Sequence, residues 1–233
     1  MEHSIETHSM DALVSLCRAR GMGRHPFLQL TAELPVDMGV LYDFMSNLNV
    51  ATSAYPGWLS ALCARLPDKK VRSILFKLIN DEHGSGDPEQ IHVDLFDEML
   101  RVLGRWRPAG DAALALAPGR ELRERAAQIF EAANPYEGIG VVISGEISAD
   151  QHIHWLGHQL ARQSDVNASE LAWYTIHAQV EPDHANDSSR LGELIGADAE
   201  SRAAVWQGAE RSMAAQHAFL DALLRRHYPH LAA

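Results

Sequence analysis

Apolar residues recur along this chain at the three- and four-residue spacing of a helix face, and no stretch sustains the alternation of a strand. The pattern predicts helices over residues 10–20, 37–65 with a bend near Tyr55-Pro56-Gly57, 68–83, and from Asp87 to about Gly104. Further helices are predicted over about 119–133, 137–163, 168–194 and 199–228. Gly21, Gly23 and Pro26 break the first, and Gly84-Ser85-Gly86 ends the third. Asp87, Pro88 and Gln90 read as the N-cap, first helical residue and capping box of the next helix. Residues 105–118 hold Gly and Pro breakers and read as a loop. There is no internal repeat or low-complexity linker, so the expectation is an all-α, single-domain bundle of about seven to eight helices.

Four of these stretches place a carboxylate or imidazole where the apolar stripe should continue. Leu75, Leu78 and Ile79 lead to Glu82, and His92 opens the stripe Leu95, Phe96, Met99. Ile139, Val142 and Ile143 lead to Glu146. Trp173 stands one turn before His177, and Glu181 and His184 follow at i+4 and i+7. At 3.6 residues per turn the last three share an arc of roughly 60°. The candidate ligands are therefore Glu82, His92, Glu146, His177, Glu181 and His184. Three carboxylates in one apolar interior repel each other and favour protonation. Divalent cations between them reverse that balance, with the imidazoles as neutral donors, and iron, manganese and zinc suit such a set.

Plainer readings exist for each residue taken alone. A single histidine on an apolar face is more often a satisfied core residue, Glu82 could be a solvated last-turn residue, and Glu146 could pair with an arginine. Asp81, Glu89, Glu137, Asp150, Asp183 and Asp187 stand close enough in sequence to replace or support a ligand. Pro182 removes a backbone hydrogen bond inside the triplet, which predicts either a junction between two helices or a kinked, pliable segment carrying Glu181 and His184 with one weak metal position. His152, His154 and His158 read as surface or supporting residues, and His217, His227 and His230 as solvated ones.

Composition narrows the partners. A formal net charge of −11 disfavours nucleic acid and anionic membranes. No apolar run approaches the ~20 residues that span a bilayer, and residues 1–9 are polar without a leader's apolar stretch. Cys17 and Cys63 are isolated, so a reduced, cytoplasmic setting is the default. No phosphate-loop, dinucleotide, nucleophile-elbow or HExxH motif occurs.

The order of these residues resembles a known family. A Glu ends one helix, a Gly-x-Gly link follows, a His comes early in the next, then a mid-helix Glu and His-x3-carboxylate-x2-His. His25-Pro26-Phe27, Tyr55-Pro56-Gly57-Trp58, Asn80-Asp81-Glu82-His83-Gly84-Ser85-Gly86-Asp87 and His92-x2-Leu95-Phe96 add to the likeness. Together they resemble the haem-oxygenase-like di-iron oxidases, relatives by fold of pyrroloquinoline-quinone synthase and the thiaminase-type proteins. The resemblance covers roughly residues 24 to 225, which divides the chain into an N-terminal helix and tail (1–23) and a haem-oxygenase-like helical domain (24–233). Two departures are visible: many members have Asp where Glu181 stands and few follow it with proline, and the ten-residue step from Glu82 to His92 is longer than in some members.

The resemblance implies a compact bundle holding two Fe(II)/Fe(III) ions on the six residues, with O2 as co-substrate. An external electron donor would be needed, since no flavin or nicotinamide motif is present. Its partners would be a small-molecule amine and that reductant, and a homodimer is an open assembly. The branch it most resembles oxygenates nitrogen, which implies an amine N-oxygenase acting on an amino acid or amino-heterocycle in natural-product biosynthesis. Alternatives in the same fold are a di-iron desaturase or C–C lyase on an amino or fatty acid, and a metal-free thiaminase-like or binding protein. A lyase on an acidic substrate needs an arginine at the site, with Arg72 and Arg162 nearest by sequence. A thiaminase-like enzyme needs a pocket cysteine.

Overall fold

The computed structural model describes residues 9–33, 36–110, 115–195 and 198–231; the side chains of residues 181–183, 185, 188 and 189 fall outside that description. Its described residues form ten α-helices and no strand. They are α1 (Met10–Arg20), α2 (Pro26–Ala32), α3 (Met38–Thr52), α4 (Tyr55–Arg65), α5 (Lys69–Glu82), α6 (His92–Leu103), α7 (Ala117–Phe130), α8 (Tyr136–Leu160), α9 (Ala172–Leu194) and α10 (Ala199–His227). No helix among the described residues is long and apolar enough to cross a membrane.

Helix α8 is the axis of the bundle. It buries 16 of its 25 residues on all sides, which a helix does only when neighbours surround it. Helices α1, α2, α7, α9 and α10 pack against it. The crossing with α10 is close because glycine stands on both backbones. A Cβ on Gly140 would fall 2.1 Å from the Val205 carbonyl oxygen, and one on Gly208 would fall 1.9 Å from that of Glu137.

The core divides into two apolar clusters. One joins α1, α4 and α5 to the first half of α8, through Leu13, Leu59, Leu75 and Ile139 among others. The second joins α2, α3 and α6 to the last half of α8 and of α10, through Phe27, Phe44, Phe96, Leu156 and Phe219. Buried Asp43 on α3 ties that second half shut, accepting hydrogen bonds from Arg226 (2.7 Å) and His227 (2.7 Å) of α10. His227 is thus a structural partner rather than a solvated residue.

Helix starts depart from the sequence expectation in three places. Helix α2 is a seven-residue element that the Pro26 break conceals. The His25 Nδ1 accepts from the Phe27 amide, and Gln159 of α8 donates to the Thr31 carbonyl at 2.6 Å. The bend at Tyr55-Pro56-Gly57 is a full break, so residues 37–65 make α3 and α4. The capping signature at Asp87 serves only a single 3₁₀ turn, Pro88–Gln90, where Asp87 accepts from the Glu89 amide at 3.0 Å. Helix α6 begins at His92 instead.

Candidate metal centre

The C-terminus of α5 and the N-terminus of α6 are brought together by a strained link. Gly84, Ser85 and Gly86 all have left-handed φ (79°, 52° and 95°), which glycine tolerates and serine rarely adopts. Ser85 is held there by donating to Asp81 Oδ1 at 2.9 Å and accepting from Asn80. The reversal brings Glu82 Oε1 to 3.6 Å from His92 Nδ1. His177 on α9 completes a group: donor atoms of Glu82, His92 and His177 all lie within 4.8 Å of one another.

The donor chemistry of this trio suits a cation. His92 is buried, and its Nδ1 has no hydrogen-bond partner. An orphaned buried imidazole nitrogen is costly unless something else uses its lone pair. The 3.6 Å gap to Glu82 exceeds an N–H···O hydrogen bond and suits two donors sharing one ion. His177 donates from Nδ1 to the Trp173 carbonyl at 2.8 Å, which fixes its tautomer and leaves Nε2 bare. Burial, reinforced by the nearby His92 ring, pushes the His177 imidazole down to about 3, so it is a neutral donor. Trp173 stacks on His177 at 4.1 Å and Phe96 stacks on Trp173 at 4.1 Å, a wall that fixes the ring's plane.

A second group adjoins it. Glu146 is buried on α8, and Tyr55 donates to its Oε1 at 2.5 Å. Its Oε2 lies 3.4 Å from His184 Nδ1, while His184 Nε2 lies 3.4 Å from Asp81 Oδ2. His184 is therefore set between two carboxylates. The Glu181 side chain lies outside the described residues, as does that of Asp183, and the expected effect of Pro182 falls there too. Helix α9 is nevertheless assigned as α-helix from Ala172 to Leu194.

The other acidic residues have partners elsewhere. Asp187 is engaged by Lys77 at 2.5 Å and Arg190, Glu137 by Arg211, and Asp150 by His154. Glu89 is exposed. Only Asp81, through His184, joins the candidate centre among the described alternatives.

Between the two core clusters lies a cavity of about 160 Å³. Glu82, His92, Glu146 and His177 line it, together with Tyr55, Phe96, Phe130 and Trp173. An apolar cavity of about 150 Å³ admits one benzene ring, so this space fits a single-ring molecule. No lysine or arginine lines it among the described residues. The carboxylates at its wall thus lack a protein cation, and Glu146 meets Tyr55 and His184 rather than arginine. Arg162 donates instead to the Ala32 carbonyl, and Arg72 is not among the lining residues.

Cys17 and Cys63 are buried away from the cavity, and burial pushes the Cys17 thiol up to about 12. Neither can serve as its nucleophile. His152 was unmarked by the stripes, yet it is buried and lines the cavity, whereas His154 and His158 are exposed. The signal for His152 was its place on one face of α8 with Val141, Gly145, Ser148 and Ala149, all of which line the same space.

Residues 43–217 match the family described as iron-containing redox enzymes. The chain belongs to that family. Its relatives include the 4-aminobenzoate synthase of Chlamydia pneumoniae, 24% identical over 213 residues that cover 89% of this chain and 91% of that one. The 4-aminobenzoate synthase of Chlamydia muridarum is 20% identical over 225 residues, covering 94% and 92%. Two solved structures share the fold. A CADD-like protein of unknown function from Nostoc punctiforme superposes with TM-score 0.70 at 9% identity, covering 93% of this chain and 97% of that one. A domain of unknown function with a heme oxygenase-like fold from Shewanella denitrificans gives TM-score 0.67 at 15% identity, covering 99% and 93%. The chain is thus an all-α protein of haem-oxygenase-like fold, and an enzyme of an iron-containing redox family.

Proposed function

We propose that this chain is a non-haem di-iron oxygenase that uses O2 to N-oxygenate a small neutral amine, such as an amino-heterocycle, giving hydroxylamine, nitroso or nitro products. One iron would be held by Glu82, His92 and His177, and the other by Glu146, Glu181 and His184. Bound iron would supply oxygen activation and electron transfer. The rest of the chemistry rests on protein groups: a largely apolar, single-ring cavity that seats the amine, the Trp173 carbonyl that orients His177, and Tyr55 that orients Glu146.

The observation that carries this reading is the half-buried Glu82 with buried His92 and His177 at the wall of a cavity that no lysine or arginine lines among the described residues. A carboxylate-bearing amino acid or fatty acid would find no cationic partner there, which weighs against the desaturase and lyase alternatives and favours an uncharged amine. The 4-aminobenzoate synthase relatives are named for a single-ring aromatic amine that also carries a carboxylate, so the likeness supports the ring and amine of the proposed substrate and not its neutrality. The first oxygen insertion balances as amine plus O2 plus two electrons and two protons, giving hydroxylamine and water; the electrons come from an external reductant.

The test is turnover by the full chain, loaded with Fe(II), with a chemical reductant and isotopically heavy O2, against a panel of aminoimidazole, aniline and 4-aminobenzoate. The expected result is an N-oxygenated product carrying heavy oxygen from a neutral amine. An iron-loaded protein that consumes O2 and returns every amine unaltered, or yields only alkenes or cleaved carbon chains, would overturn it.

A further inference from the structure

The geometry points to His152 as the group that receives the substrate's N–H, with Gln216 as a second polar contact, so that these two fix which end of a neutral single-ring amine faces the iron residues. This rests on the proposed function for the amine itself, and its evidence is separate from the iron residues.

His152 is 7% exposed and lines the cavity. Its Nδ1 donates to the Ser148 carbonyl at 2.9 Å, which places the proton on Nδ1 and leaves Nε2 a bare acceptor. No protein donor bonds that Nε2 among the described residues. Phe44 packs edge-on against the ring at 6.3 Å, so the ring's position is fixed by its surroundings. An acceptor held in an apolar cavity without a donor is unsatisfied until a ligand supplies one.

The surrounding polar groups are arranged to keep that acceptor free. Ser148 Oγ donates to Gln216 Oε1 at 2.7 Å, and Gln216 Nε2 donates to Ser212 Oγ at 3.2 Å. Ser148, Ser212 and Gln216 also line the cavity. Those bonds leave two donors at the cavity, the Ser212 hydroxyl proton and one amide N–H of Gln216, and the latter offers a donor where His152 offers an acceptor. Gly145, Ser148 and Ala149, being small, leave the room in front of His152 for a ring. His152 lines the same cavity as Glu82, His92, Glu146 and His177. A ring hydrogen-bonded there would have its amine next to the candidate iron residues. His152 itself is not part of the Glu82, His92, His177 group, whose donor atoms lie within 4.8 Å of one another.

The experiment compares aniline with toluene, equal in size but lacking the N–H, by calorimetric titration of the full chain loaded with Fe(II) under argon. Iron content is measured first, and the titration is repeated on metal-free protein, so that failure of iron loading and failure of amine recognition are read separately. Wild type is expected to prefer aniline by about tenfold, the worth of one hydrogen bond to a buried acceptor. His152→Leu should erase the preference while leaving iron content and toluene affinity as in wild type. His152→Gln, whose Oε1 can stand where Nε2 stood, should restore a preference. His152→Phe replaces His152→Leu if the latter does not fold. Equal binding of aniline and toluene by wild type, a preference that survives in the apolar variant, or loss of iron from that variant would each overturn the assignment.

Discussion

Tyr55 of α4 donates its hydroxyl to Glu146 Oε1 of α8 at 2.5 Å, a bond that spans 91 residues of sequence and holds a buried carboxylate in one orientation. The contact leaves Glu146 Oε2 on the side of His184. Partners of this kind around metal ligands are worth about 10–100-fold in metal affinity. Tyr55→Phe should therefore keep the fold and the affinity of the first iron while weakening the second by that factor. Stepwise Fe(II) titration under argon checks this; two unchanged binding steps would show that the hydroxyl does not support a metal ligand.

His184 stands between Asp81 and Glu146 at 3.4 Å from each. Pro182 lies two residues before it in the same helix. Glu181→Ala is expected to weaken one iron more than the other, leaving the Glu82, His92, His177 group loaded. Iron content against added Fe(II) measures it, and equal loss of both ions would contradict the division into two groups.

His152 and His177 predict an acid weakness in metal-free protein. Burial lowers their pKa values from 6.5 to about 4 and about 3. Between those values and 6.5 the unfolded chain binds protons that the folded chain refuses. Stability therefore rises with pH across that window and is lost as pH falls below 6.5. Each histidine contributes a slope of at most about 1.4 kcal/mol per pH unit there. Urea unfolding at pH 7 and pH 5 should show the lower midpoint at pH 5, with a smaller difference in His152→Gln. Equal midpoints would mean that the rings are not buried neutral.

Gly208 meets the α8 backbone so closely that a Cβ would fall 1.9 Å from the Glu137 carbonyl oxygen. Gly208→Ala must push α10 from α8. Overpacking of this kind costs about 1–3 kcal/mol, or roughly 2–4 °C of melting temperature per kcal/mol for a chain of this size. Thermal unfolding that matches wild type would show that the two helices do not cross there.

The architecture was legible because burial in a helical bundle repeats at the period of the helix. The stripes ending at Glu82 and Glu146, opening at His92, and carrying His177 and His184 face the bundle interior as the pattern implied, though Glu82 sits nearer the rim than the others. Tertiary hydrogen bonds decided what the pattern missed. Helix α2 depends on Gln159 and Trp155 reaching Thr31, contacts more than 120 residues away in sequence. The start of α6 depends on the left-handed link at Gly84-Ser85-Gly86, against which a local capping signature at Asp87 could not compete. His152 read only as a surface or supporting residue because its stripe holds small residues and no carboxylate, and only the packed structure shows that small residues there leave a cavity. Tyr55 could not be paired with Glu146 from sequence, since nothing local links α4 to α8.

The central claim is that the acidic groups inside this bundle are there to hold iron. Iron content per chain, measured after anaerobic Fe(II) reconstitution and removal of free metal, tests it most directly in wild type and His177→Ala. The account predicts about two irons per wild-type chain, as in other carboxylate–histidine bundle sites, and the loss of at least one from the variant. Wild type that retains no iron, or His177→Ala that retains as much as wild type, would contradict it.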